Sequence, residues 1–133
     1  MKDLKKIIKS FGYSFKGLRH AYYADKSFRL EIQYGLPIYI FLAWFLAPFT
    51  AIEFILFIFS YLLILLVELI NTAFEKMLDK LHPEEHEVIG RSKDISSAAV
   101  MVAFVFAGIV IIALTITRIT TGVDTVLIER PFA

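Results

Sequence analysis

Three carboxylates and one amide fall on a single helical face in the stretch Glu68 to Asp79, which reads ELINTAFEKMLD. At about 100° per residue, Glu68, Asn71, Glu75 and Asp79 lie within roughly 80° of one another. The run before them, Phe54 to Val67, carries no charge, so the acidic stripe begins where the hydrocarbon-compatible part of the helix ends. An acidic group at that depth is costly unless it faces a bundle interior, where it marks an ion, proton or substrate site. Glu68 is the deepest of the set, flanked by Leu66, Val67, Leu69 and Ile70, whereas Asp79 reads equally well as a solvated helix end. Desolvation there makes Glu68 readier to accept a hydroxyl proton.

Other carboxylates stand near the same end of the chain's hairpin: Asp25 and Glu31 in DKSFRLE, and Asp94 beside Lys93. Carboxylates without histidine or cysteine neighbours suit a hard cation such as Mg²⁺, which prefers oxygen ligands and bridges readily to phosphate. With lysine at hand, such a site can carry out phosphoryl transfer, in which catalysis is mostly positioning and charge stabilisation. The same residues could instead form the pathway of a cation- or proton-coupled small membrane transporter, or sit in a noncatalytic membrane assembly protein. No GxxxxGK loop or protein-kinase signature is present, and GYSFKG at Gly12 to Gly17 is a poor phosphate loop. His20, His82 and His86 lack metal-ligand spacing and read as surface residues.

The elements that must position these groups belong to a membrane protein. Hydrophobic residues make up 58% of the 133-residue chain and the mean hydropathy is +0.69, above the ~45–50% apolar content of a soluble domain. This length gives a single domain, 1–133. The absence of cysteine excludes a disulfide framework and a thiolate metal site, and the N-terminus lacks the unbroken apolar core of a cleaved signal peptide. Leu4, Ile8, Phe11, Phe15, Leu18 and Tyr22 recur at helical spacing with lysines largely elsewhere, which predicts an amphipathic surface helix over about 4–23, with Gly12 and Gly17 as weak points. The uncharged run 34–51 predicts a first span, 54–67 extending to 81 a second, and 95–117 a third. Gly90 is expected at a turn and Asp94 or Ser96 at the cap of the third helix. Ala99, Ala103 and Ala107 form a small-residue stripe that allows close helix approach and calls for a partner. Basic residues flank the start of span one and the end of span two, so the positive-inside rule places the N-terminus in the cytoplasm and the C-terminus outside.

ELINTAFEKMLD also resembles the signature of the prokaryotic diacylglycerol kinase family, which is Glu, two residues, Asn-Ser/Thr-Ala, one residue, Glu, three residues, Asp. HEVIGRSKDISSAAV is similar to the family's loop and third-span entry, and GYSFKGLRHAYYADKSFRLE to its surface helix and first-span entry. The resemblance covers Lys6 to about Leu114 and implies an all-α homotrimer, each protomer with a surface helix and three spans. It implies a kinase of the bacterial cytoplasmic membrane that phosphorylates a lipid hydroxyl from MgATP: diacylglycerol to phosphatidic acid or, in the alternative branch, undecaprenol. By the same resemblance Glu68 is the general base, supported by Asn71, and Asp25 and Glu75 hold the metal ion. Lys93 and Asp94 contact the nucleotide, with Tyr13, Glu84, Glu85 and His86 near it. Lys6, Ser10, Tyr13, Ser14, Phe15, Arg19, Tyr22, Ser27, Glu31 and Ser97 line the lipid and nucleotide sites. Asp25 stands where the family usually has Glu, and Lys6 where Arg is common, which gives up a bidentate phosphate fork.

Overall fold

In a computed structural model describing residues 2–81 and 87–128, every element is helical, with no strand among the described residues. Helix α1 is Lys2–Ala24, α2 Lys26–Leu30, α3 Leu36–Leu46, α4 Ala51–Leu81 and α5 Glu87–Ile128. Glycines 12 and 17 do not interrupt α1, whose amphipathic period holds throughout. The chain turns at Asp25, whose extended backbone (φ −119°, ψ 130°) and side chain cap α2: its Oδ1 accepts from the Phe28 amide at 2.8 Å. A π turn over Glu31–Gly35 then joins α2 to α3 without a break.

Helices α4 and α5 carry the long apolar windows, and both are long and apolar enough to cross a membrane. Their 31 and 42 residues span about 46 and about 63 Å at 1.5 Å per residue, beyond the ~30 Å of a hydrocarbon core. Several boundaries differ from the sequence reading. The uncharged run 34–51 is not helical throughout, because α3 stops at Leu46, where Ala47 is extended (ψ 152°) ahead of Pro48. Gly90 is inside α5 rather than at a turn, and Asp94 and Ser96 do not cap it. The cost of one glycine in the first turn of α5, at most about 1 kcal/mol, is small beside the packing that the rest of the helix makes on α4. At its other end α5 runs past Arg118 to Ile128.

Two apolar clusters hold the helices together. Tyr39, Leu46, Phe57, Tyr61 and Leu114 knit α3, α4 and α5, with the Tyr39 ring tilted against those of Phe57 and Tyr61 at centroid distances of 5.0 and 4.7 Å. Inside it the Tyr39 and Ser60 hydroxyls are 3.1 Å apart and Ser60 also donates to the Phe57 carbonyl, so neither polar group is left unpaired in an apolar setting. Ile64, Ala103 and Ala107 form the second cluster. The stripe thus finds its partner within the chain: Ala103 and Ala107 take α4 at close range, and only Ala99 remains exposed. Gly35 fits against the Tyr61 ring, which an added Cβ would meet at 3.3 Å.

Leucine at Ala103 or Ala107 should therefore cost about 1–3 kcal/mol through overpacking, and leucine at Ala99 within about 0.5 kcal/mol. Thermal unfolding in detergent checks this: equal midpoints for the three variants would contradict the assigned contact.

Candidate active site

A cavity of about 530 Å³ opens where α2, α4 and α5 meet, lined by Asp25, Ser27, Leu30, Glu31, Glu68, Asn71, Glu75, Ser97, Val100, Met101 and Phe104. Its acidic wall follows from helical spacing. Glu68, Asn71 and Glu75 occupy successive turns of α4, and the capped turn at Asp25 brings α2 across them. Glu68 is only 4% exposed and Asn71 8%. The Ser27 hydroxyl faces the Glu68 carboxyl. Asn71 Nδ2 donates to Glu75 Oε1 at 3.2 Å, so the amide, expected to support Glu68, is engaged here by Glu75. The i,i+4 spacing sets those two side chains one above the other.

Glu31 enters from the π turn, with its backbone carbonyl accepting from the Tyr61 hydroxyl at 3.0 Å. Glu31 is half-buried, and its carboxyl neighbours those of Glu68 and Asp25. Glu31 Oε2 and Asn71 Oδ1 are buried without a hydrogen-bond partner, as is Thr72 Oγ1 on the adjacent turn. Unpaired acceptors of this kind are rare in folded chains and ask for a donor or a cation. Among the described residues no three His, Cys, Asp or Glu side chains converge closely enough to hold a metal ion by themselves.

The remaining sequence-predicted residues are distributed unevenly. Lys93 pairs with Asp79 and also feels the Glu75 charge, which places a cation beside the acidic stripe; Asp94 is exposed. Ser97 lines the cavity with the others. Tyr22 is half-buried at the α1–α2 corner, its carbonyl accepting from Arg29 at 3.5 Å and its hydroxyl from Gln33 at 3.0 Å. Lys6, Ser10, Tyr13, Ser14, Phe15 and Arg19 stand exposed on α1, apart from the cavity. Lys6, Ser10 and Ser14 line a shallow hollow on that helix instead. Glu84, Glu85 and His86 lie outside the described residues. The apolar wall of Leu30, Val100, Met101 and Phe104 escaped the sequence reading, as did buried Thr72. Ser97, Val100, Met101 and Phe104 recur at three- and four-residue intervals, a pattern that an apolar span conceals.

Comparison with known proteins places this cavity in a family. A profile of prokaryotic diacylglycerol kinases matches residues 12–115. The chain belongs to the prokaryotic diacylglycerol kinase family. It is 40% identical over 102 residues to a diacylglycerol kinase of Escherichia coli K12, covering 77% of this chain and 82% of the relative. It is 42% identical over 107 residues to that of Haemophilus influenzae (80% and 89%) and 35% over 100 residues to that of Pseudomonas aeruginosa (75% and 80%). All the lining residues fall within the family match, whereas Lys6 and Ser10 precede it and Arg118 follows it. Members of this family are bacterial membrane lipid kinases, in keeping with the two apolar helices.

Proposed function

We propose that the protein transfers the γ-phosphoryl group of MgATP to the hydroxyl of diacylglycerol, giving phosphatidic acid and ADP at the cytoplasmic surface of the bacterial inner membrane. The observation that carries this reading is the cavity's two-sided lining. Buried Glu68 and half-buried Asp25, Glu31 and Glu75 form one wall, and Leu30, Val100, Met101 and Phe104 the other. A lipid can lay its acyl part against the second while presenting its hydroxyl to the first.

Glu68 is then the base. It takes the hydroxyl proton as the lipid oxygen forms its bond to the γ-phosphorus and the bond from that phosphorus to the bridging oxygen of the leaving ADP breaks. Its near-complete burial keeps competing water away from the carboxylate. Asn71 fixes the rotamer of Glu75 through its amide, and its unpaired Oδ1 is available to a donor on the substrate. Asp25 and Glu75 would hold Mg²⁺, whose charge offsets that of the nucleotide phosphates. The donor set fits the ion: all oxygen, with an unpaired buried carboxylate oxygen on Glu31 nearby. Mg²⁺ commonly takes one or two protein carboxylates and completes its shell with phosphate and water. Lys93, beside Glu75 and Asp79, supplies positive charge for phosphate, and Asp94 adjoins it.

The full architecture of the proposal is a homotrimer with three spans per protomer, the first built from α3 and the helical run leading into it. Two observations support it. The mouth of the cavity lacks the α1 residues expected at the site, Lys6, Tyr13, Phe15 and Arg19, and those residues stand open to another copy. In that arrangement α1 lies at the headgroup plane, its lysines toward anionic lipid.

A kinase assay with radiolabelled ATP and mixed micelles tests the reading. Mg²⁺-dependent label should appear in phosphatidic acid, and Glu68→Gln should lower turnover by about 100-fold or more with nucleotide affinity retained. Near-normal turnover in the variant would remove Glu68 from its role, and a far higher specificity constant for undecaprenol would overturn the substrate.

A further inference from the structure

At the opposite end of the bundle from the cavity, Arg118 joins three helices. Its Nη1 and Nη2 donate to the two oxygens of Glu53 at 3.1 and 2.9 Å, and its Nε donates to the Leu46 carbonyl at 2.7 Å. The guanidinium also lies 5.7 Å from the Phe49 ring centroid. Both charged side chains are largely shielded, at 25% and 20% exposure, and the pairing is the bidentate fork that makes such bonds strong and directional. Each partner occupies a helix end. Leu46 is the last residue of α3, where carbonyls lack intrahelical donors. Glu53 and Thr50 form a reciprocal capping box at the start of α4, the Thr50 amide donating to Glu53 Oε2 at 2.8 Å and the Glu53 amide to Thr50 Oγ1 at 3.3 Å. The third span expected from sequence, 95–117, stops one residue short of Arg118.

This clasp is one of three polar links that hold the run from Glu31 to Leu46 on α4 among the described residues. The others are the Tyr39–Ser60 hydroxyl pair midway and the Tyr61 hydroxyl on the Glu31 carbonyl, at the edge of the cavity. Between them runs the packed cluster of Tyr39, Leu46, Phe57, Tyr61 and Leu114. Leu114 lies one turn from Arg118, and Tyr61 packs on Gly35 of the π turn. The helical run from Glu31 to Leu46 is therefore a strut about 22 Å long, held at one end by Arg118 and bearing Glu31 at the other.

We infer that Arg118 is a positioning residue for phosphoryl transfer: by holding the end of α3 on α4 and α5, it sets the axial register in which Glu31 and the α2 segment face Glu68. The inference rests on the kinase reading above. It concerns a residue beyond the family-matched segment 12–115.

The chain provides its own reporter, since its single tryptophan, Trp44, is on α3 two residues before Leu46. The experiment compares wild type with Arg118→Ala, Arg118→Lys and Glu53→Gln in bilayers, well below each thermal midpoint, reading kcat, KM for MgATP and quenching of Trp44 by brominated lipids. Glu53→Gln keeps the bond to the Leu46 carbonyl and guards against a failure of Arg118→Ala to fold. Turnover per folded molecule should fall by about 3- to 30-fold in Arg118→Ala, the range that remote coupling produces, with smaller losses in the other two. KM for MgATP should stay within about twofold, and the Trp44 quenching depth should shift in the same order as turnover. Variants that lose thermal stability but retain wild-type kcat and quenching would make Arg118 merely structural and overturn the inference. Absence of phosphoryl transfer by the wild type would instead refute the kinase reading, and the quenching series would still show whether Arg118 holds α3 in place.

Discussion

Burying a carboxylate among apolar helices costs several kcal/mol unless something answers its charge, and Glu68 is buried on the inner face of α4 with Asp25, Glu31 and Glu75 around it. Lys93 is the cation that Glu75 feels, and it is engaged by Asp79 at the rim; Arg118, bonded to Glu53 and the Leu46 carbonyl, is at the other end of the bundle. A packed core of similar shape would be more stable with leucine in those places. The acids make sense as a site that gains cations and hydrogen-bond donors with its ligands, and the unpaired oxygens of Glu31 and Asn71 mark where those contacts are missing.

The rest of the fold holds the acids in that state. Helix α4 is the rail on which three site residues are spaced, α5 closes one side through Ala103 and Ala107, and the capped turn at Asp25 carries α2 over the top. The cluster of Tyr39, Phe57, Tyr61 and Leu114 supplies the stiffness beneath. Its hydroxyls are paired with Ser60 and with the Glu31 carbonyl, so the core is tied directly to the cavity edge.

Much of this was legible in the sequence because polar residues stand out against an apolar background. The face of Glu68, Asn71, Glu75 and Asp79 could be read from spacing alone, and Asp25 and Glu31 from their place before the first apolar run. Their resemblance to the prokaryotic diacylglycerol kinases agrees with the family match. What could not be read has a common physical origin. Inside a uniformly apolar helix, bundle-facing and lipid-facing residues look alike, so the wall of Val100, Met101 and Phe104 gave no periodic contrast. Partners distant in sequence were equally hidden: nothing local connects Glu53 with Arg118, 65 residues on. The amide of Asn71 could have served either acidic neighbour, and only side-chain geometry assigns it to Glu75. The start of α5 was misplaced because Gly90 reads locally as a turn, whereas it lies in the first turn of a helix that begins at Glu87.

The central claim is that the acidic cavity receives the metal-bound nucleotide within reach of the buried base. The most direct measurement is anomalous scattering from crystals grown with Mn²⁺ and a non-hydrolysable ATP analogue. The account predicts a manganese peak between the Asp25 and Glu75 carboxylates, with the terminal phosphate facing Glu68. A peak bound elsewhere, with Asp25 and Glu75 free of metal and the phosphates remote from Glu68, would contradict it.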